Sequence, residues 1–107
     1  MRKINLDPYE AELETTEGLK KAPYDVRISL SNLLFNPGLK LNSRDLLDND
    51  RLSQKILGRE SGSSILLEET EYKRLRSAIE GFNGFTKTDV ELVRRVLDAP
   101  EVPVKEG

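Results

Sequence analysis

No stretch of apolar residues in this 107-residue chain is longer than three, the longest being 33–35 (Leu-Leu-Phe) and 65–67 (Ile-Leu-Leu). A chain interrupted this often cannot bury long apolar segments. Its elements must be short and amphipathic, and its core must be assembled from stripes of a few side chains each. Large residues are scarce: three Phe, three Tyr and no Trp. Leu, Ile and Val therefore carry most of the burial, at about 1.5–3 kcal/mol per fully buried side chain. Hydrophobic residues make up 36% of the chain and charged residues 34%, and even with Gly counted the apolar share stays below the roughly 45–50% of ordinary domains. The length suits one domain with a small core, of a kind that self-association or a partner helps to complete. Runs of three also fall far short of the roughly 18 residues of a membrane span, and no apolar core of a secretory signal is visible. No membrane partner is expected, and cytoplasmic residence is.

The chain contains no Cys and no His, and its one Met is Met1. This removes Cys/His zinc sites, Ser-His-Asp and Cys-His nucleophile pairs, disulfides and histidine pH switches. The 17 basic residues against 19 acidic ones, a net charge of −2, speak against a surface that attracts nucleic acid as a whole, although a local basic face is compatible with it.

Helical signals dominate the pattern. Asp7-Pro8-Tyr9-Glu10 has the form of a helix start, with Asp7 as cap, Pro8 at the first helical position and Glu10 reaching back. It predicts a short helix over 8–16, with Tyr9 and Leu13 as its meagre apolar face and Gly18 as its end. Residues 24–35 fit two periods: Tyr24, Val26, Ile28 and Leu30 alternate like a strand, whereas Val26, Leu30, Leu33 and Leu34 form a helical stripe. The helix accounts for more residues and sits between Pro23 and Pro37-Gly38. Ser43 caps a segment carrying Leu46 and Leu47, but the period to Leu52, Ile56 and Leu57 breaks at Asp48-Asn49-Asp50, which predicts two short helices joined at Asn49. Gly58 ends the second, and 59–64 reads as a polar loop. Tyr72, Leu75, Ile79 and Phe82 define a helix over 69–82. After Asn83-Gly84, a capping box of Thr88 and Glu91 opens a last helix with Val90, Val93 and Leu97. The expected architecture is thus all-α: a bundle of four to five short helices with a C-terminal αα hairpin and flexible termini. It divides into an N-terminal arm (1–22), a helical domain (23–98) and a disordered tail (99–107).

Each candidate site has a plain structural alternative. Asp45, Asp48 and Asp50 lack the alternating spacing, central Gly and late Glu of a calcium loop, so capping and solvation account for them. The Gly- and Ser-rich 58–64 segment lacks the Gly-Lys-Ser/Thr ending of a phosphate cradle, and no strand is expected before it. No cofactor, metal or small-molecule substrate is implied. The helical pair over 69–97 has the outline of a helix-turn-helix, and Lys73, Arg74, Lys87, Arg94 and Arg95 are its candidate nucleic-acid contacts. Asp89 and Glu91, however, stand where a recognition helix needs basic or amide side chains.

The run Asn32-Leu33-Leu34-Phe35-Asn36-Pro37, together with Gly84-Phe85-Thr86 leading into Asp89-Val90-Glu91-Leu92-Val93-Arg94-Arg95-Val96-Leu97, resembles small uncharacterised helical proteins of tailed bacteriophages and prophages. The resemblance covers about half the chain. It implies an assembly factor, a virion accessory or an inhibitor of a host protein. The resulting expectation is a non-enzymatic protein that binds another polypeptide or itself. Tyr9, Leu13, Val102 and Val104 are the expected docking side chains because they have little local core to join. A DNA-binding regulator is the alternative.

Overall fold

The computed structural model describes residues 1–59 and 63–102, with only the backbone of 13–15. Strand β1 (Arg2–Asn5) offers a single apolar side chain, Ile4, yet Ile4 is fully buried and Leu6 follows it into the core. Its partner is distant in sequence. Strand β4 (Ser64–Leu67) runs antiparallel to it with Ile4 opposite Ile65, and Ile65 and Leu67 point inward while Leu66 points out. The other edge of β1 is taken by the C-terminal segment: Lys3 donates its N–H to the Pro100 carbonyl (3.1 Å), and Val102 donates its N–H to Met1 (2.8 Å). The two ends of the described chain therefore meet on one small sheet instead of hanging free.

A second sheet is a local hairpin of β2 (Tyr9–Thr15) and β3 (Gly18–Tyr24), antiparallel from the Tyr9–Tyr24 pair to the Thr15–Gly18 pair. Gly18 sits at φ +108°, in the region that favours glycine, and closes the turn. The expected helix over 8–16 does not form. Glu10 and Glu12 face water and Ala11 is buried, a period of two that satisfies a strand. The Asp7-Pro8 signal falls in the link between β1 and β2, where the Asp7 N–H donates to Asn5 Oδ1 (2.8 Å).

Asp25 separates strand from helix. Its carboxylate accepts from the Ile28 N–H (3.2 Å) and caps α1 (Val26–Leu34), so Tyr24 belongs to β3 and the helical stripe begins at Val26. Helix α2 (Ser43–Leu57) is continuous and capped by Asn42, with no break at Asn49. Asn49 is 2% exposed and lies on the buried face with Leu52, Ser53 and Ile56. Its amide donates to the Leu34 carbonyl (2.8 Å) and its oxygen accepts from Arg74 (3.2 Å), so a polar residue at a core position is satisfied. Ser53 meets Ser31 of α1 in the same way. Helix α3 (Glu69–Glu80) starts from a Glu68–Glu71 capping box and buries Tyr72, Leu75, Ala78 and Ile79. Helix α4 (Val90–Leu97) packs back on it, and the Tyr72 hydroxyl donates to the Val96 carbonyl (2.6 Å). Its entry is set by Thr86 and Asp89 around a turn of 3-10 helix, two residues upstream of the expected Thr88–Glu91 box.

The fold is consequently mixed α and β, with four α-helices and two two-stranded antiparallel sheets among the described residues, and not an all-α bundle. Helical stripes and the β1–β4 sheet meet in one core of Ile, Leu and Val with Tyr72. Among the described residues no helix is long and apolar enough to cross a membrane.

Candidate functional site

The hairpin departs from the body. Every residue over 16–21 is exposed, Leu19 to 67%, and among the described residues neither outer strand edge pairs with a further strand. Its foot is fixed by two tyrosines that the register places side by side. The Tyr9 and Tyr24 rings stack at 4.7 Å with 14° between planes. Tyr9 donates its hydroxyl to the Thr88 carbonyl (2.7 Å), and the Arg95 guanidinium lies 5.2 Å from its ring centre. Tyr24 donates to Asp89 Oδ1 (2.5 Å). Burial, and then the bond to Asp89, push the Tyr24 phenol well above its ordinary value. Burial also raises Tyr9. Both hydroxyls therefore stay protonated and remain donors.

Between this foot, the end of α1 and the loop before α4 lies an open cleft of about 350 Å³. Its walls include Tyr24, Phe35, Phe82 and Phe85, the last two edge to face at 4.7 Å between ring centres. Gly84, at φ +141°, lets the loop turn between these two rings. Asp89 lines the same cleft. Its Oδ1 accepts from Tyr24, and its Oδ2 accepts from the Thr86 N–H (2.9 Å) and hydroxyl (3.3 Å). Among the described residues no Lys or Arg forms an ion pair with it.

The residues singled out from sequence fall in different places. Tyr9 is half-buried at the hairpin foot. The backbone of Leu13 is in β2 opposite Lys20. Val102 is half-buried and bonded through its backbone to Met1 at both N–H and carbonyl, and Val104 lies outside the described residues. The five basic candidates divide among separate grooves, Lys73 and Arg74 in one, Lys87 and Arg95 in a second, Arg94 and Arg95 in a third. Arg74 is engaged by Asp45 (3.3 Å), Asp48 (3.0 Å) and Asn49 between α2 and α3, and exposed Lys73 lines the adjoining groove. Lys87 stands beside β2. Arg94 and Arg95 pair with Glu91 (3.6 and 3.2 Å), and Arg95 also reaches the Asn5 and Asp7 carbonyls. The three aspartates of α2 are likewise occupied within the fold, Asp50 by Gln54 (3.0 Å). Sequence reasoning missed Tyr24, Phe82, Phe85 and Asp89 as a group. Their signals were present as single features, an aromatic next to Pro23 and two Phe around Asn83-Gly84, but only the tertiary fold joins them. No protein family, no curated protein and no solved structure matches the chain.

Proposed function

We propose that this chain is a non-enzymatic binding protein that engages another polypeptide, or further copies of itself, through the β2–β3 hairpin and the cleft at its foot. The observation that carries this reading is the hairpin: residues 16–21 at its tip are all exposed, and among the described residues neither of its outer strand edges pairs with a further strand. Unpaired edges accept an added strand readily, and natural proteins usually blunt them. Here one edge is partly blunted by Pro23, which brings no N–H; the β2 edge carries no proline. The cleft adds apolar and aromatic surface beside it. Its titratable groups suit recognition better than proton transfer, since the Tyr24 phenol holds its proton far above neutrality and both Asp89 oxygens are engaged. The resemblance to tailed-phage proteins makes the function an assembly, virion-accessory or host-inhibitor role, exercised in the host cytoplasm or the virion. The dispersal and pairing of the basic side chains favour this reading over DNA binding.

Size exclusion with light scattering, over a concentration series at low and high salt, tests it. The comparison is between the chain and a variant whose residues 13–20 are replaced by a two-residue Asn-Gly turn. The expected outcome is self-assembly, or a stable complex with a host or virion polypeptide, that survives salt in the parent and is lost in the shortened hairpin at unchanged melting temperature. Association that is the same in both proteins overturns the reading.

A further inference from the structure

We infer that the cleft at the hairpin foot is a binding site for an arginine side chain presented by a partner polypeptide, with Asp89 as its counter-ion and Tyr24, Phe35, Phe82 and Phe85 as its walls. This deepens the binding reading above and rests on it. Four observations converge. The cleft has a volume of about 350 Å³, at the small end of the range for ligand pockets and suited to one long side chain. Among the described residues Asp89 has hydrogen-bond donors but no ion-paired Lys or Arg: a carboxylate offers about four acceptor positions, and the Tyr24 hydroxyl, the Thr86 N–H and the more distant Thr86 hydroxyl occupy three. Its carboxylate is therefore held in place by neutral donors and not by an ion pair. The neighbouring Arg95 is committed elsewhere, to Glu91, to the Asn5 and Asp7 carbonyls and to the Tyr9 ring. Finally, four aromatic side chains line the same space. A guanidinium is the cation that combines an N–H directed at a carboxylate with a flat face that stacks on aromatic rings, and it sheds water more readily than an ammonium.

The test titrates the 15N-labelled full chain with the blocked tripeptide acetyl-Gly-Arg-Gly-amide and, in parallel, with its neutral citrulline counterpart. Saturable shifts at the amides of 33–36 and 82–89 are expected with the arginine peptide alone. Asp89→Asn and Phe35→Ala should each weaken binding by about tenfold, equal to roughly 1.4 kcal/mol. Phe35 is partly exposed beyond the end of α1, so its replacement keeps the test decisive if Asp89→Asn disturbs the Thr86 cap. Absence of saturable shifts at millimolar peptide, an equal response to citrulline, or indifference to Phe35→Ala overturns the arginine site. The light-scattering comparison fails separately: association lost on shortening the hairpin while the tripeptide does not bind leaves the interaction surface standing and removes the arginine site alone.

Discussion

The two small sheets of this protein have the same number of strands and opposite constructions. The β1–β4 pair joins residue 4 to residue 65, so it closes a long loop and gains nothing from local turn geometry. It holds because Ile4, Ile65 and Leu67 are buried with the helices, and because the C-terminal segment occupies the remaining edge of β1. The β2–β3 hairpin closes across residues 16 and 17, at little entropic cost, but residues 16–21 at its tip are all exposed. Two-stranded hairpins are marginal alone in water. This one depends on its foot: the tyrosine stack, two phenol hydrogen bonds, Ala11 and Arg95. One sheet is part of the core, whereas the other, the proposed binding element, extends from it.

The largest effect should come from the sheet that looks weakest in sequence. Ile4→Ala deletes most of a fully buried side chain and should cost about 2–5 kcal/mol in global stability, read from urea denaturation. A loss comparable to that of an exposed hairpin substitution would break the contrast between the sheets.

Next is Tyr24→Phe, which removes a hydrogen bond to a carboxylate, an interaction worth about 1.5–3 kcal/mol. The lower end applies because the ring is only half-buried. Its pH signature sharpens the comparison. Tyr24 is raised above its ordinary value of 10.0, so above that pH the unfolded chain releases a proton that the folded chain keeps. The contribution is complete below pH 10.0 and is lost as pH rises toward the folded value. Tyr9, also raised, acts in the same direction. Denaturation midpoints on either side of that pH should fall less steeply in Tyr24→Phe than in the parent. Identical slopes would mean that Tyr24 does not hold its proton more tightly in the folded state.

Much of the helical half was legible from the chain alone, because the stripes Val26-Leu30-Leu33-Leu34 and Tyr72-Leu75-Ile79 are apolar throughout. Helix α2 read as broken because two of its core positions hold polar residues, Asn49 and Ser53, whose partners lie on α1 and α3. The β2 alternation was visible in Glu10, Ala11 and Glu12 but was outweighed by a local start signal at Asp7-Pro8, which lies in the link between β1 and β2. Strand β1 gave almost no signal, since one apolar residue among Arg2, Lys3 and Asn5 acquires meaning only once Ile65 is beside it. The candidate site follows the same rule. Tyr9 stood out as an aromatic without a local core, whereas the cleft requires β3, the end of α1 and the loop before α4 together.

The smallest effect, and the most direct probe of the hairpin's independence, belongs to Gly18→Ala. At φ +108° an alanine is strained, while its added Cβ would meet nothing within 4 Å, so the cost is that of the backbone alone, about 1–2 kcal/mol. A core turn would pass this cost in full to the global unfolding free energy. Here the exposed tip over 16–21 can open and relieve the strain while the Tyr9–Tyr24 foot stays closed, so the global loss is capped by the free energy of that local opening. Hydrogen exchange should therefore accelerate at the amides of 12–21 and stay unchanged in β1 and β4, with a urea midpoint shifted less than the strain would require. Gly18→Asn, whose side chain tolerates positive φ, should recover part of the protection. Equal acceleration in both sheets would show that the hairpin and the core unfold as one unit.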